Sequence, residues 1–363
     1  MQELLISSEK IFWKGKYQKG TIIKNENEIN FESNVLRGRY LEGWVNPGLV
    51  NAHCHLELSH LGKISHEIKG KGMAKFILWV QKNRNQNIEW IEKKIQKVLT
   101  NFQNEGTFFI ADVCNSLITK NIKNQFSKIH FINFWEVFGL NPRMDNIKWT
   151  EIQENAKKLN ALITLHAPYS CSKELIQRVH DNNPKLQSIH MAESIEEIDY
   201  FSSNESEMYQ VFREMKIPDD FLQQKLPFSE AILSNKTENY LLVHNVFLEI
   251  KRIPKEILEK CYFCICPTSN LFLHGKTVSK DFIIEFVEKI CLGTDSLASN
   301  DQLSIIKEMN YLKSLNIETT SIIAMATLNA YKALQIDLEI LEKYEHAIVI
   351  HEKNNQFIVK HLW

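Results

Sequence analysis

Short β-branched or alternating runs broken by polar turns fill the first forty residues, among them Ile11-Phe-Trp13, Gly20-Thr-Ile-Ile23 and Glu28-Ile-Asn-Phe31. Such spacing predicts antiparallel strands. The end of the chain, His346-Ala-Ile-Val-Ile-His351 and Gln356-Phe-Ile-Val-Lys-His-Leu-Trp363, has the same pattern. Neither end can enclose a core alone, so residues 1–46 and 341–363 are expected to combine into one small, sandwich-like composite β-domain.

Between the ends the pattern becomes apolar strand, polar residue, loop, amphipathic helix, repeated over residues 47–340. Eight strands are expected, at 49–55, 107–113, 129–137, 161–166, 186–190, 240–244, 262–266 and 290–294. That is the number a (β/α)8 TIM-type barrel requires, so the fold class is α/β. Helical spacing is plain in Ile88-Glu-Trp-Ile-Glu-Lys-Lys-Ile-Gln-Lys-Val-Leu99, and two further helices are expected over 303–315 and 321–334. Thr150-Glu-Ile-Gln153 has the form of a capping box, which would start a helix there.

Composition narrows the classes. With 363 residues and 44% hydrophobic positions the chain can bury a large core. Lys plus Arg (43) nearly balances Asp plus Glu (44), and no basic block appears, which argues against nucleic acid or an anionic membrane as partner. The N-terminus lacks a basic start followed by an apolar core, and no run reaches membrane-spanning length, so a cytoplasmic protein is expected. Seven cysteines, most within apolar runs, fit reduced core thiols rather than a disulfide framework.

The candidate chemistry lies at the carboxyl ends of the expected strands, where barrel enzymes build their sites. His53 and His55 leave one face of the first strand two residues apart, a chelating geometry. His166 ends the fourth strand, His190 the fifth and His244 the sixth, and Asp295 follows the eighth. A single histidine at a strand end is ordinary. Several converging on one mouth are hard to explain as packing.

Six segments in order, Pro47-Gly-Leu-Val-Asn-Ala-His-Cys-His-Leu-Glu57, His166-Ala-Pro-Tyr-Ser170, His190-Met-Ala-Glu-Ser194, Val243-His-Asn245, Cys266-Pro-Thr-Ser-Asn270 and Leu292-Gly-Thr-Asp-Ser296, resemble the motif set of the amidohydrolase superfamily. Within it they are most similar to the deaminase and chlorohydrolase branch. The resemblance implies His53, His55, His190 and Asp295 as ligands of one divalent metal ion, zinc in the first place with iron as the alternative. It also implies Glu193 and His244 as catalytic neighbours, with Asp295 shared between both roles. No lysine ends the fourth strand, which favours one metal over two. The implied reaction is attack of metal-bound hydroxide on an sp² ring carbon with loss of ammonia.

His166 and Asn270 resemble substrate-pocket positions, and Glu57, Trp79 and Arg143 fall where a ligand could be touched. His55-Leu-Glu-Leu-Ser59 and Phe76-Ile-Leu-Trp-Val-Gln-Lys-Asn-Arg84 are similar to aminofutalosine and adenosine-derivative deaminases, which implies a 9-substituted 6-aminopurine. A small heterocycle is then the expected partner, and a homo-oligomer is left open. Hydrolysis of a chloro-substituted ring or cyclic amide at the same site, or a catalytically silent metal-binding barrel, are the alternatives. Cys261 and Cys264 superficially suggest the small zinc deaminases, but Lys260 rather than proline precedes them, and on a strand they would face opposite ways.

Overall fold

A computed structural model describes residues 3–26, 28–63, 65–139, 142–182, 184–222 and 232–363, of which 63 and 142–147 by backbone alone. Its centre is eight parallel strands in two four-stranded sheets. The first sheet holds Leu49–Cys54, Thr107–Cys114, His130–Val137 and Ala161–Leu165 in that order, and the second Leu186–Met191, Asn239–His244, Cys261–Ile265 and Ile290–Leu292. The runs marked by the apolar pattern are therefore the barrel staves, and most are buried on both faces, as parallel strands under helices must be.

The two sheets close into a barrel at seams made differently. On one side the Thr164 hydroxyl donates to Ser188 O (2.8 Å) and accepts from Ser188 N (2.9 Å), and His190 N donates to His166 O (2.9 Å). On the other side His53 O accepts from both Thr294 N (3.0 Å) and Asp295 N (3.1 Å). This second seam brings the first and last staves together at the mouth.

Outside the staves, the helix Ile88–Asn104 shows how the sequence chooses its buried face. Asn87 caps it by accepting from Trp90 N, and Ile91, Ile95, Val98, Leu99 and Phe102 fall on one stripe and are buried. Each such side chain stabilises the fold by about 1.5–3 kcal/mol. Two local expectations are corrected. Thr150 does not start a helix but lies inside Pro142–Leu159, because Pro142 suits a first turn and Trp149, Ile152, Ala156 and Leu159 continue one apolar stripe past the threonine. The helix expected over 321–334 is two, Thr319–Ala326 and Leu328–Ala333, broken where Thr327 (φ −139°, ψ −95°) turns its hydroxyl back to Ile323 O.

The chain ends do combine. One seven-stranded sheet runs Gln356–His361, Ile348–Lys353, Trp44–Asn46, Leu4–Trp13, Lys16–Lys24, Ile29–Ser33, with Arg39–Tyr40 pairing Leu4–Trp13. The short strand Trp44–Asn46 joins both ends, antiparallel to Ile348–Lys353 and parallel to Leu4–Trp13, just before the first stave. Tyr17 donates within the sheet to Asn46 (2.5 Å) and ties the sheet to the helices around the barrel by a hydrogen bond with Thr327 (2.8 Å). Among the described residues no helix is long and apolar enough to cross a membrane, and all seven cysteines are free and buried.

Candidate active site

At or just beyond the ends of three staves stand non-glycine residues with left-handed backbone: Ala192 (φ 51°), His244 and Asn245 (φ 74° and 62°) and Asp295 (φ 58°). Such residues cost on the order of 1–3 kcal/mol each and persist where surrounding structure over-determines them. Here each one turns the chain at the mouth and directs a neighbouring polar side chain inward.

The result is a buried cluster. His55 Nε2 lies 3.2 Å from His190 Nε2, and Asp295 Oδ1 lies 3.8 Å from His55 Nε2 and 3.9 Å from His53 Nε2. Among the described residues four overlapping trios have ligand atoms close enough to share one ion: His53 with His190 and His244, His53 with His55 and Asp295, His55 with Glu136 and His190, and Glu193 with His244 and Asp295. Both ring nitrogens of His53 are buried without a hydrogen-bond partner. An orphaned buried imidazole is unfavourable unless something else binds it.

The cluster is held in register from behind. Asp295 Oδ2 accepts from Ser269 (2.7 Å) and Ser299 (2.5 Å), leaving Oδ1 to face the histidines. His190 Nδ1 is 3.0 Å from His166 O. A carbonyl can only accept, so Nδ1 carries a proton and Nε2 is the His190 nitrogen turned to the cluster. The Asn270 amide is 3.0 Å from His244 Nδ1.

Glu193 stands between two imidazoles, Oε2 at 3.5 Å from His244 Nε2 and Oε1 at 3.4 Å from His274 Nε2. It is not a helix cap. The cap of Ile195–Ser202 is Ser194, whose side chain accepts from Glu197 N. The fully buried Glu197 accepts from Ala192 N (3.0 Å) and Glu193 N (2.9 Å), fixing the turn that aims Glu193.

Burial shapes the electrostatics. It lowers the pKa of His53 well below the usual histidine value and that of His55 to about 4, so both are neutral near pH 7. For Asp295 burial acts upward, but the facing His244 and His55 and the two serine hydrogen bonds outweigh it, and the net shift is downward. Glu193 behaves alike: burial raises, while His244 and the His274 hydrogen bond bring it below the usual carboxylate value. Two or more neutral imidazoles beside an ionised carboxylate form a donor set suited to a divalent cation.

Above the cluster opens a cavity lined by His55, Glu57, Arg84, Asn115, Glu136, His166, His190, Glu193, His244 and Asp295, and on its other side by Met73, Phe76, Ile77, Val80, Phe138, Tyr169, Phe212 and Met215. His166 reaches it, its Nδ1 bonded to Ser170 (2.7 Å). Glu57 reaches it too, but its oxygens are engaged, Oε1 by Arg84 (3.0 Å) and Oε2 by Ser116 (2.6 Å) and Asn115 N (3.4 Å). Asn270 is buried behind His244 rather than in the cavity wall.

Trp79 does not face the cavity. On the helix Met73–Asn83 the positions 73, 76, 77 and 80 share the inward face, and Trp79 packs on the neighbouring one, its Nε1 donating to Glu67 (3.3 Å). The side chain of Arg143 lies outside the described residues. Three residues escaped the sequence reading. Glu136 is a carboxylate near the carboxyl end of the third stave, the same positional signal that marked the histidines. His274 sits one helical turn beyond Asn270. Glu197 lies three residues after a serine, which was legible as a cap but not as a support for Glu193.

Comparison with known proteins agrees with this geometry. A model described as the amidohydrolase family matches residues 44–355. An adenosine deaminase of Helicobacter pylori is 26% identical over 343 residues, covering 90% of this chain and 80% of its own length. Among solved structures, Helicobacter pylori aminofutalosine deaminase in complex with methylthio-coformycin superposes with a TM-score of 0.71 at 22% identity, covering 97% of this chain and 93% of that one. An adenosine deaminase from Xanthomonas campestris with bound zinc gives 0.67 at 16% identity, covering 96% and 84%.

Proposed function

Since the chain belongs to the amidohydrolase family, we propose that it is a metal-dependent aminohydrolase that removes ammonia from a 9-substituted 6-aminopurine, an adenosine- or aminofutalosine-type nucleoside. The observation that carries the reading is Glu193, buried between His244 and His274 and beside a histidine–aspartate cluster that contains an orphaned imidazole. His53, His55, His190 and Asp295 would hold one divalent ion, zinc in the first place. Such an ion supplies Lewis acidity to the water that replaces the amine.

The chain's own residues account for the rest. Glu193, ionised in the resting site, takes a proton from the attacking water and returns it to a ring nitrogen; the second proton of that water then passes to the amino group, so that the C–N bond breaks with neutral ammonia as the leaving group and the ring carbon keeps the oxygen. His244 is held through Nδ1 by Asn270 and presents Nε2 toward Glu193 and the attacking water. The apolar wall opposite excludes water and accepts a flat ring.

The relatives named for adenosine and aminofutalosine deamination support the substrate class. So does the charge of the cavity. Among its described lining residues Glu57, Glu136, Glu193 and Asp295 are acidic and Arg84 alone is cationic, and Arg84 is paired to Glu57. An uncharged nucleoside suits that wall better than a nucleotide. Ammonia release from metal-loaded protein, measured over 9-substituted adenines, free aminated bases and chloro-triazines with chloride followed in parallel, tests the reading. The expected result is ammonia from a 9-substituted adenine; better turnover of a free base or a chloro-triazine would refute the substrate assignment.

A further inference from the structure

Around the mouth, Glu193, His244 and Asp295 occupy the ends of the fifth, sixth and eighth staves, and the amine of a substrate must approach that side. The rest of the ligand then extends toward the first three staves and the helix Met73–Asn83. There the cavity carries a polar strip: Glu57, Arg84, Asn115 and Glu136.

Most of the strip is already satisfied internally. Arg84 donates to Glu57 (3.0 Å) and to Asn115 Oδ1 (2.7 Å), and the second oxygen of Glu57 is taken by Ser116 and Asn115 N. Glu136 differs. Its carboxyl is hydrogen-bonded by the Asn115 side chain, yet Oε1 is buried without any hydrogen-bond partner. The nearest donor, His190 Nδ1, is 3.5 Å away and already has a better acceptor in His166 O at 3.0 Å. The side chain is 5% exposed and lines the cavity. Burial raises the pKa of this carboxyl to about 7, against the pull of the nearby His190. A buried carboxyl oxygen with no donor, on a side chain that borders a cavity, is unfavourable in the empty protein and gains from a ligand that donates to it.

On a 9-substituted 6-aminopurine the ring nitrogens are acceptors. Apart from the amine that leaves, the hydrogen-bond donors are hydroxyls of the sugar. We propose that Glu136 is a specificity-determining residue that accepts a hydrogen bond from a sugar hydroxyl of the substrate, a role for which Glu57 is less suited because its two oxygens already accept three hydrogen bonds. Glu136 thus selects a hydroxylated 9-substituent over a bare or deoxygenated one. This inference rests on the nucleoside reading above.

The test crosses the residue with the hydroxyls. For metal-loaded wild type and Glu136→Ala, which removes the acceptor, kcat/KM is measured on the best adenine nucleoside found and on its 2′-deoxy, 3′-deoxy and 2′,3′-dideoxy forms, with metal content and Tm recorded for both proteins. Wild type is expected to lose about 10- to 100-fold on removal of the contacted hydroxyl. Glu136→Ala is expected to lose a similar factor on the parent nucleoside, and little on the analogue lacking that hydroxyl, with metal content unchanged. Equal losses of the variant on all four substrates would overturn the inference. So would a loss of metal in step with activity, which would make Glu136 a support of His190 instead. Should the variant fold poorly, wild type alone still decides, since equal turnover of the four nucleosides also refutes it. Failure of the nucleoside reading is distinguishable, because wild type would then turn over no 9-substituted adenine at all.

Discussion

The floor and the roof of the cavity are built on different physics. The floor is a set of stave ends carrying His53, His55, His190, His244 and Asp295, built around directed bonds: Asp295 is fixed by two serines, His190 by a carbonyl, His244 by Asn270, and the neighbouring Glu193 by a turn clamped on Glu197. The roof is the helix Met73–Asn83 against the helix Glu207–Glu214 and Met215, presenting Met73, Phe76, Ile77, Val80 and Phe212. Its polar ties are few and mostly exposed, among them the pair Lys75–Glu207 (3.3 Å), the Trp79–Glu67 hydrogen bond, the long Gln81 Nε2 to Met215 Sδ contact (3.8 Å) and a hydrogen bond from Met73 N to Glu196 (3.1 Å). Directed bonds fix atoms to fractions of an ångström, while methionine and phenylalanine adapt. The floor is therefore the place for chemistry and the roof the place where substrate range is set.

The largest effects are expected on the floor. His190→Ala removes one of four proposed ligands, so metal occupancy and activity should fall together; elemental analysis finding full occupancy in the variant would remove His190 from the ligand set. Glu193→Gln should keep the metal and lose about 10² to 10⁴ in kcat, as a missing proton carrier does. Near-normal turnover in that variant would reduce Glu193 to a structural neighbour of His244.

A ligand can probe the same contrast without mutation. A 5′-monophosphate adds charge to a cavity whose described wall, with the proposed divalent ion offsetting Asp295 and burial raising the Glu136 pKa to about 7, keeps Glu57 and Glu193 as acidic groups and one guanidinium already paired. Adenosine 5′-monophosphate should therefore show kcat/KM at least about 10-fold below adenosine, with the gap narrowing as salt is added. A preference for the nucleotide would mean that a cation outside this wall faces the ligand.

The roof should respond more gently. Phe76→Ala shortens a partly buried apolar contact, so KM should rise by roughly 5- to 30-fold, the worth of about 1–2 kcal/mol of lost burial, with kcat nearly unchanged. A fall in kcat as large as that of Glu193→Gln would show that the roof orients the reacting ring and that the division drawn above is wrong.

The same division explains what was legible in the sequence. The floor could be read because polar residues at the ends of apolar staves break a strong pattern, and the order of the broken positions is specific. Barrel and composite sheet followed from periods of 2 and 3.6. The roof could not be read so well, because Phe76, Ile77, Trp79 and Val80 are all apolar and only the helix phase decides that Trp79 turns away. Thr150 carried a correct local signal that a longer apolar stripe overrode. Glu136 was hidden for another reason: the acidic residue interrupts an apolar strand as the histidines do, but its meaning depends on which neighbours its oxygens and those of Glu57 find, and those are contacts between distant segments.

The smallest effect on catalysis is expected at a support of the floor. Glu308, fully buried on the helix Ile305–Ser314, accepts from Thr268 N (3.0 Å) and from the Thr268 hydroxyl, tying down the start of Pro267–His274, the helix that carries Ser269, Asn270 and His274. Burial pushes its pKa up to about 7, against which the Thr268 bonds work. A carboxyl raised in the folded state binds a proton that the unfolded chain releases, so its contribution favours folding below about pH 4.5 and is lost as pH rises to 7. The loss amounts to roughly 3 kcal/mol at most. Glu308→Gln imitates the protonated group, donating to the Thr268 hydroxyl and accepting from Thr268 N, and cannot ionise. Its stability relative to wild type should therefore improve between pH 5 and pH 8 while kcat at a fixed neutral pH stays within about twofold, since no atom of Glu308 lines the cavity. Denaturant midpoints of both proteins at the two pH values check this. A stability difference that does not change with pH would mean that Glu308 is ionised throughout, and a large fall in kcat would mean that the floor depends on its charge.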